Sequence, residues 1–210
     1  MSLDRPPVVY GEEELLARTT HLFATASEVW CAALDVSAWA TRRRFDVPVP
    51  APRLRKLYRP GALLDPSMAQ HLRVVAQSRD AEVRITPDDI NETIIIDRRL
   101  AILAGDVRGG RRGYGVVSES AVVDNVASLF ESAWRSATDL AVYDAQHAEL
   151  SELAPRVLEL LATGCKDEIA ARKLALSVRT YRRRVAELMN ALGAESRFQA
   201  GVRARELGLI

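Results

Sequence analysis

Cysteine is scarce in this chain: only Cys31 and Cys165 stand among its 210 residues. Cys31 falls in an apolar run and Cys165 opens a turn, so neither a disulfide nor a metal site is expected, as suits a reduced, cytoplasmic protein. Histidine is as rare. His21, His71 and His147 read as helix-surface residues, and neither His71 nor His147 has a lysine at catalytic spacing. No apolar run approaches the roughly 18 residues of a membrane span, and no signal-peptide core opens the chain. No membrane partner or cofactor is therefore expected. Internal repeats and low-complexity tracts are absent, and the formal net charge is only +1.

The chain does have hydrophobic content, 48%, enough for real cores. Its charge is also unevenly divided. Residues 151–210 hold 11 Lys and Arg against 7 Asp and Glu, a charge of +4, so the 150 residues before them carry −3 of the total of +1. The basic excess lies in the last third.

Within that third, Lys166–Leu192 organises the reading. A short helix with apolar Ala170, Leu174 and Leu176 is followed by Ser177, placed as an N-cap for a second helix. There Tyr181, Val185, Leu188, Met189 and Leu192 recur at helical spacing as a packed stripe, while Arg179, Arg182, Arg183 and, at its flank, Arg184 take the other side. An arginine run is often only a solvated face. Two short helices joined by a tight capped turn are, however, the helix-turn-helix layout, in which the second helix enters the major groove of double-stranded DNA.

Residues 150–210 resemble the C-terminal domain of LuxR-type (GerE-like) transcription regulators. The resemblance is carried by Leu158, Leu160, Leu161 and Gly164, by Asp167, Glu168, Ala171, Arg172 and Leu174, and by Leu176, Ser177, Arg179 and Thr180. Gly193, Ser196, Arg197, Gln199, Ala200, Ala204, Leu207 and Leu209 follow in the same order. It implies an all-α four-helix domain over 149–210, its helix-turn-helix at about 166–185. It also implies DNA contacts at Thr180, Arg182, Arg183, Arg184 and Ala186, with Lys166 on the backbone. Ser177 and Arg179 complete the candidate interface. Arg182 and Arg183 are the candidates for guanine O6/N7, because a planar fork bonds both acceptors. Three departures stand out: Ala154-Pro155, expected to start the first helix late; Ile169-Ala170 in swapped order; and Ala175 where glycine is usual.

Earlier in the chain, Met1–Tyr10 reads as a loose arm and Glu12–Ala26 as an amphipathic helix. Val29–Leu34 reads as a buried strand. A basic run at 42–44 and a proline-rich connector at 47–52 follow. Strands are expected at 54–58, 82–85, 93–96, 100–103 and 114–117, and a helix at 67–77 with Met68, Leu72 and Val75 on one face. Gly109–Gly113 reads as a loop and 121–147 as one long helix with Val122, Val126, Leu129, Phe130 and Trp134 inside. Together they predict an α/β N-terminal domain over 1–148, a sheet with helices on both faces.

The runs Leu54–Tyr58, Leu64-Asp65-Pro66, Glu82–Ile85 and Ile94–Ala101 resemble half of a phospholipase D-like fold, degenerate versions of which, as in the TrmB-like group, serve as sensors. That superfamily's catalytic signature is HxKxxxxD. With Asp97 at the aspartate, Glu92 stands at the lysine and Ile90 at the histidine, so a phosphodiesterase is disfavoured and no catalytic residue is expected. A receiver domain is rejected, since Asp88 and Asp89 lie in a turn. The acyl-homoserine-lactone sensor pattern is absent. The domain is left with dimerisation, since two-fold operators need paired recognition helices, and with binding of a small-molecule effector. Trp30, Trp39, Arg55 and Tyr58, near predicted strand ends, are the ligand candidates.

Overall fold

The structure, a computed structural model, describes residues 8–33 and 52–210. Trp39, the basic run at 42–44 and most of the 47–52 connector lie outside the described residues. The chain divides into two compact units, Met1–Tyr58 with Val75–Ala137 and Arg59–Val74 with Thr138–Ile210. The division falls eleven residues before the 148/149 boundary expected from sequence, and it gives Arg59–Val74 to the second unit.

In chain order the first unit begins with β1 (Val8–Tyr10), α1 (Glu12–Thr25), β2 (Glu28–Ala32) and β3 (Arg53–Tyr58). Next along the chain are a 3-10 turn, Pro60–Leu64, and α2 (Pro66–Ala76), which up to Val74 belong to the second unit. Then come β4 (Ala81–Ile85), β5 (Thr93–Ile96), β6 (Leu100–Arg108), β7 (Arg111–Val117) and α3 (Ser120–Ser136). The strands line up in the order β1-β7-β6-β5-β2-β3-β4. β2, β3 and β4 run parallel, whereas β5 meets the other side of β2 antiparallel.

Side-chain alternation assigns each face of this mixed α/β unit to a helix. Val29 and Cys31 of β2 and Ile94 and Ile96 of β5 pack with Leu15 and Leu16 of α1. Trp30, Ala32 and Ile95 turn the other way, onto Val123, Ala127, Phe130 and Trp134 of α3. Both faces of β5 are thus buried, which is why Thr-Ile-Ile-Ile occupies it; each such side chain contributes about 1.5–3 kcal/mol.

The structure corrects several local expectations. Val8–Tyr10 is no arm but an edge strand, paired with Tyr114 and its neighbours on β7. Only Gly109 and Gly110 make the loop before β7, both at positive φ, while Arg111–Gly113 belong to the strand. The expected helix over 121–147 is two. α3 stops at Ser136, and the next helix begins at Leu140 with the Asp139 carboxylate accepting from the Ala141 N–H at 2.8 Å. On α3 the buried stripe is Val123, Ala127, Phe130 and Trp134, so Val122 is exposed and Leu129 is 72% exposed.

The second unit is helical. α4 (Leu140–Ala162) bends at His147, whose φ of −122° leaves the helical range, and carries Pro155 in its interior rather than in a first turn. α5 (Asp167–Lys173), α6 (Val178–Ala191) and α7 (Arg197–Glu206) follow. Leu150, Ala154, Val157 and Leu158 of α4, Ala170 and Ala171 of α5, Tyr181, Val185 and Leu188 of α6 and Ala200 and Ala204 of α7 share one core. The small residues let the helices approach closely. Gly193 ends α6 in the left-handed conformation at φ 63°, with the Arg59 side chain packed where a Cβ would stand.

Candidate nucleic-acid interface

The turn between α5 and α6 is short and held by backbone hydrogen bonds. Leu176 N–H donates to Ala171 O at 2.9 Å and Ala175 N–H to Arg172 O at 3.1 Å. Ala175 adopts φ 55°, the left-handed conformation anticipated from its place in the sequence. Ser177 then caps α6, its Oγ accepting from the Thr180 N–H at 3.0 Å, with the two hydroxyls 2.9 Å apart. Ser177 and Thr180 are therefore occupied in shaping the helix start.

Tyr181, Val185, Leu188 and Ala191 bury one side of α6. The solvent side presents Arg179, Arg182, Arg183, Ala186 and Asn190, all exposed and at the i, i+3, i+4, i+7 and i+11 positions of one stripe. That stripe contains no carboxylate. Lys166, just before α5, is exposed as well.

The arginines do not behave alike, which the sequence pattern concealed. Arg182 Nε donates to Asp167 Oδ2 at 2.7 Å, and its Nη2 lies 3.7 Å from Glu168. Asp167 receives a second cation, Arg197, through bonds of 2.7 and 3.2 Å. The two guanidiniums, Arg197 first, hold the Asp167 carboxyl down at about 2. Asp167 thus ties the first turns of α5 and α7 to α6, and Arg182 serves as a brace rather than an open base reader. Arg184 is the second correction. It is 9% exposed and bonded to Glu187 at 2.8 Å, so it leaves the candidate interface. Arg183 is different again, its side chain 62% exposed and 3.7 Å from Glu187, a pairing that costs little to exchange. Arg179 has no ion-pair partner among the described residues and is exposed.

The ligand candidates of the first unit are not gathered into a site. Trp30 and Tyr58 are buried, at 2% and 3% exposure. Trp30 stacks on Phe130 at 5.1 Å, and Phe130 on Trp134 at 5.7 Å. Arg55 lies over the Trp30 ring at 5.1 Å, with Glu28 3.7 Å away, and Arg84 lies over Trp134 at 4.6 Å. These are core residues with cations stacked upon them, not pocket walls. Trp39 lies outside the described residues. A cavity of about 600 Å³ does open at the carboxyl ends of β2 and β3, but its lining includes Leu57, Ile90, Glu92, Leu103 and Phe130. Asp97, placed at the phospholipase D-like aspartate, accepts the Ser27 and Glu28 N–H groups at 2.9 Å each, from a hairpin turn where it and Arg98 have positive φ. No described helix is long and apolar enough to cross a membrane.

The chain is 33% identical over 135 residues to the bialaphos biosynthetic pathway regulatory protein of Streptomyces hygroscopicus. That stretch is 64% of this chain and 53% of the relative, so the chain spans about half the relative's length. No family model matches it. Among solved structures it has a TM-score of 0.45 and 16% identity to TrmBL2, an archaeal chromatin protein, over 65% of this chain and 54% of that one. NucT from Helicobacter pylori gives 0.47 at 10% identity, and Nuc from Salmonella typhimurium, a phospholipase D family member, 0.46 at 10%. Each of these covers 64% of this chain and 98% of its own.

Proposed function

We propose that the chain is a sequence-specific, DNA-binding transcriptional regulator of the LuxR-type helix-turn-helix class. In this reading α6 lies along the major groove of a duplex, and the first unit serves dimerisation and effector sensing. The observation that carries it is the carboxylate-free stripe of α6, Arg179, Arg182, Arg183, Ala186 and Asn190, exposed on a helix set by a capped tight turn against α5. Cations on such a stripe gain from displacing counterions along a phosphate backbone, and Ala186 lets the helix approach base edges. The relative named as a pathway regulatory protein supports the same reading. Arg179 and Arg183 are the groove contacts in this account, with Lys166 on the backbone and Arg182 holding α6 in place.

A phosphodiesterase is the competing reading, and we infer that the chain is not an enzyme. Ile90 cannot form a phosphohistidine, and Glu92, held 3.0 Å from Arg112, sets a carboxylate where a phosphate would be gripped.

The test is a genomic footprint of the purified protein. Discrete sites with paired half-sites about one helical turn apart are expected. Uniform protection of all DNA, or none at low salt, would overturn the regulator reading.

A further inference from the structure

With Val123, Ala127, Phe130 and Trp134 turned to the sheet, α3 keeps an outward face that no described residue covers. A single exposed leucine is ordinary on a protein surface. Here the whole width of the face is patterned. Its middle row, Ala121, Asn125, Ser128 and Ser132, is exposed, small and uncharged, so the backbone of another helix can come close. One edge is apolar: Val122 and Leu129, 41% and 72% exposed, stand seven residues apart beside half-buried Val126 and Ala133. The other edge holds one charge of each sign, Asp124 and Arg135, eleven residues and so about three turns apart. Both are exposed, and neither has an ion-pair partner among the described residues.

The spacing of those charges selects the occupant. A second copy laid parallel would set Asp124 against Asp124 and Arg135 against Arg135, which repel. Laid antiparallel and crossing at Leu129, it sets the Asp124 of each chain level with the Arg135 of the other, because the two lie five residues before and six after that leucine. Leu129 then meets its own counterpart, and Val126 the other copy's Ala133. The contacts are reciprocal, as an isologous two-fold interface requires. An unrelated partner would have to carry the matching pattern, whereas a second copy carries it already.

We propose that two copies of this chain associate through α3, antiparallel about a two-fold axis at Leu129, with Asp124 and Arg135 bridging reciprocally. This rests on the reading of the first unit as the dimerisation domain and names the surface it uses. A seam one helix wide falls at the low end of interface sizes, so the pair is reversible, with a micromolar dissociation constant.

The experiment is sedimentation equilibrium of the full chain without DNA, and a reversible dimer is expected. Asp124→Arg alone and Arg135→Asp alone each turn two attractive contacts into repulsive ones and should weaken it at least about tenfold. The double variant Asp124→Arg with Arg135→Asp should restore it. An equimolar mixture of the two single variants should form a heterodimer, since every charge contact across that seam again joins opposite signs. Leu129→Glu, which sets two carboxylates together on the axis, should leave a monomer. All three positions are exposed, and unchanged circular dichroism will show that the fold survives. A native chain still monomeric at about 100 µM, a dimer indifferent to Asp124→Arg or to Leu129→Glu, or a mixture that fails to associate would overturn the proposal. Because DNA is absent, those results leave the regulator reading standing. An α3 dimer formed by a chain that leaves no genomic footprint would instead sink that reading alone.

Discussion

The two units handle arginine in opposite ways. In the first, Arg55, Arg84 and Arg98 lie over Trp30 and Trp134, so their charge is spread on aromatic faces and answered by Glu28, Glu82 and Glu131. In the second, Arg182 and Arg197 close on Asp167 and Arg184 on Glu187, leaving Arg179 exposed and Arg183 exposed with only a loose pairing to Glu187. An arginine count therefore does not measure a basic surface. What the neighbouring elements offer decides which cations remain available to a partner.

Removing the aromatic platform should have the largest effect. Trp134→Ala deletes the 7% exposed ring that carries Arg84 and stacks on Phe130, and should cost about 3–5 kcal/mol in chemical denaturation. A loss under about 1 kcal/mol would show that the stack contributes little.

Next comes the open side of α6. Arg183→Ala should weaken operator binding by roughly 1–3 kcal/mol with thermal stability unchanged, as read by fluorescence anisotropy and calorimetry. Arg184→Ala should do the reverse, lowering stability through the lost buried contact with Glu187.

The Asp167 clamp comes third. Its carboxyl sits at about 2, below the ordinary value of 3.8, so its contribution is present above about pH 4 and is lost as pH falls from there toward 2. Discounted for solvent screening of the exposed arginines, that contribution is on the order of 1 kcal/mol. Asp167→Asn should lower stability by this amount at neutral pH, and the gap from the native chain should vanish by about pH 2. A gap independent of pH would mean that the clamp acts by packing alone.

The smallest effect is expected at the turn. Ala175 holds φ 55°, so Ala175→Gly should stabilise the second unit by roughly 0.5 kcal/mol, measured by denaturant midpoint.

Much of this was legible in the sequence wherever the signal was local. The all-apolar run from Val29 announced a buried strand, Thr93–Ile96 read as a strand although its burial on both faces did not show, and Ser177 before an amphipathic run announced a cap. The break at Ala137–Asp139 was hidden because no glycine or proline marks it. The stripe of α3 was misjudged because Val122 and Val123, like Leu129 and Phe130, are adjacent apolar pairs that periodicity alone ranks equally. The strand at Val8–Tyr10 exists only through its pairing with β7, a hundred residues away in the chain. The division of labour among the arginines was illegible for the same reason: Asp167 lies 15 residues from Arg182 and 30 from Arg197.

The central claim is that Arg179 and Arg183, and not the clamped arginines, meet the duplex. Titrating the native chain and the Arg179→Ala/Arg183→Ala double variant on one footprinted operator across a salt series tests it most directly. The account expects the double variant to bind at least about tenfold more weakly, with a log–log salt slope shallower by about two. Superimposable affinity and slope for the two proteins would contradict it.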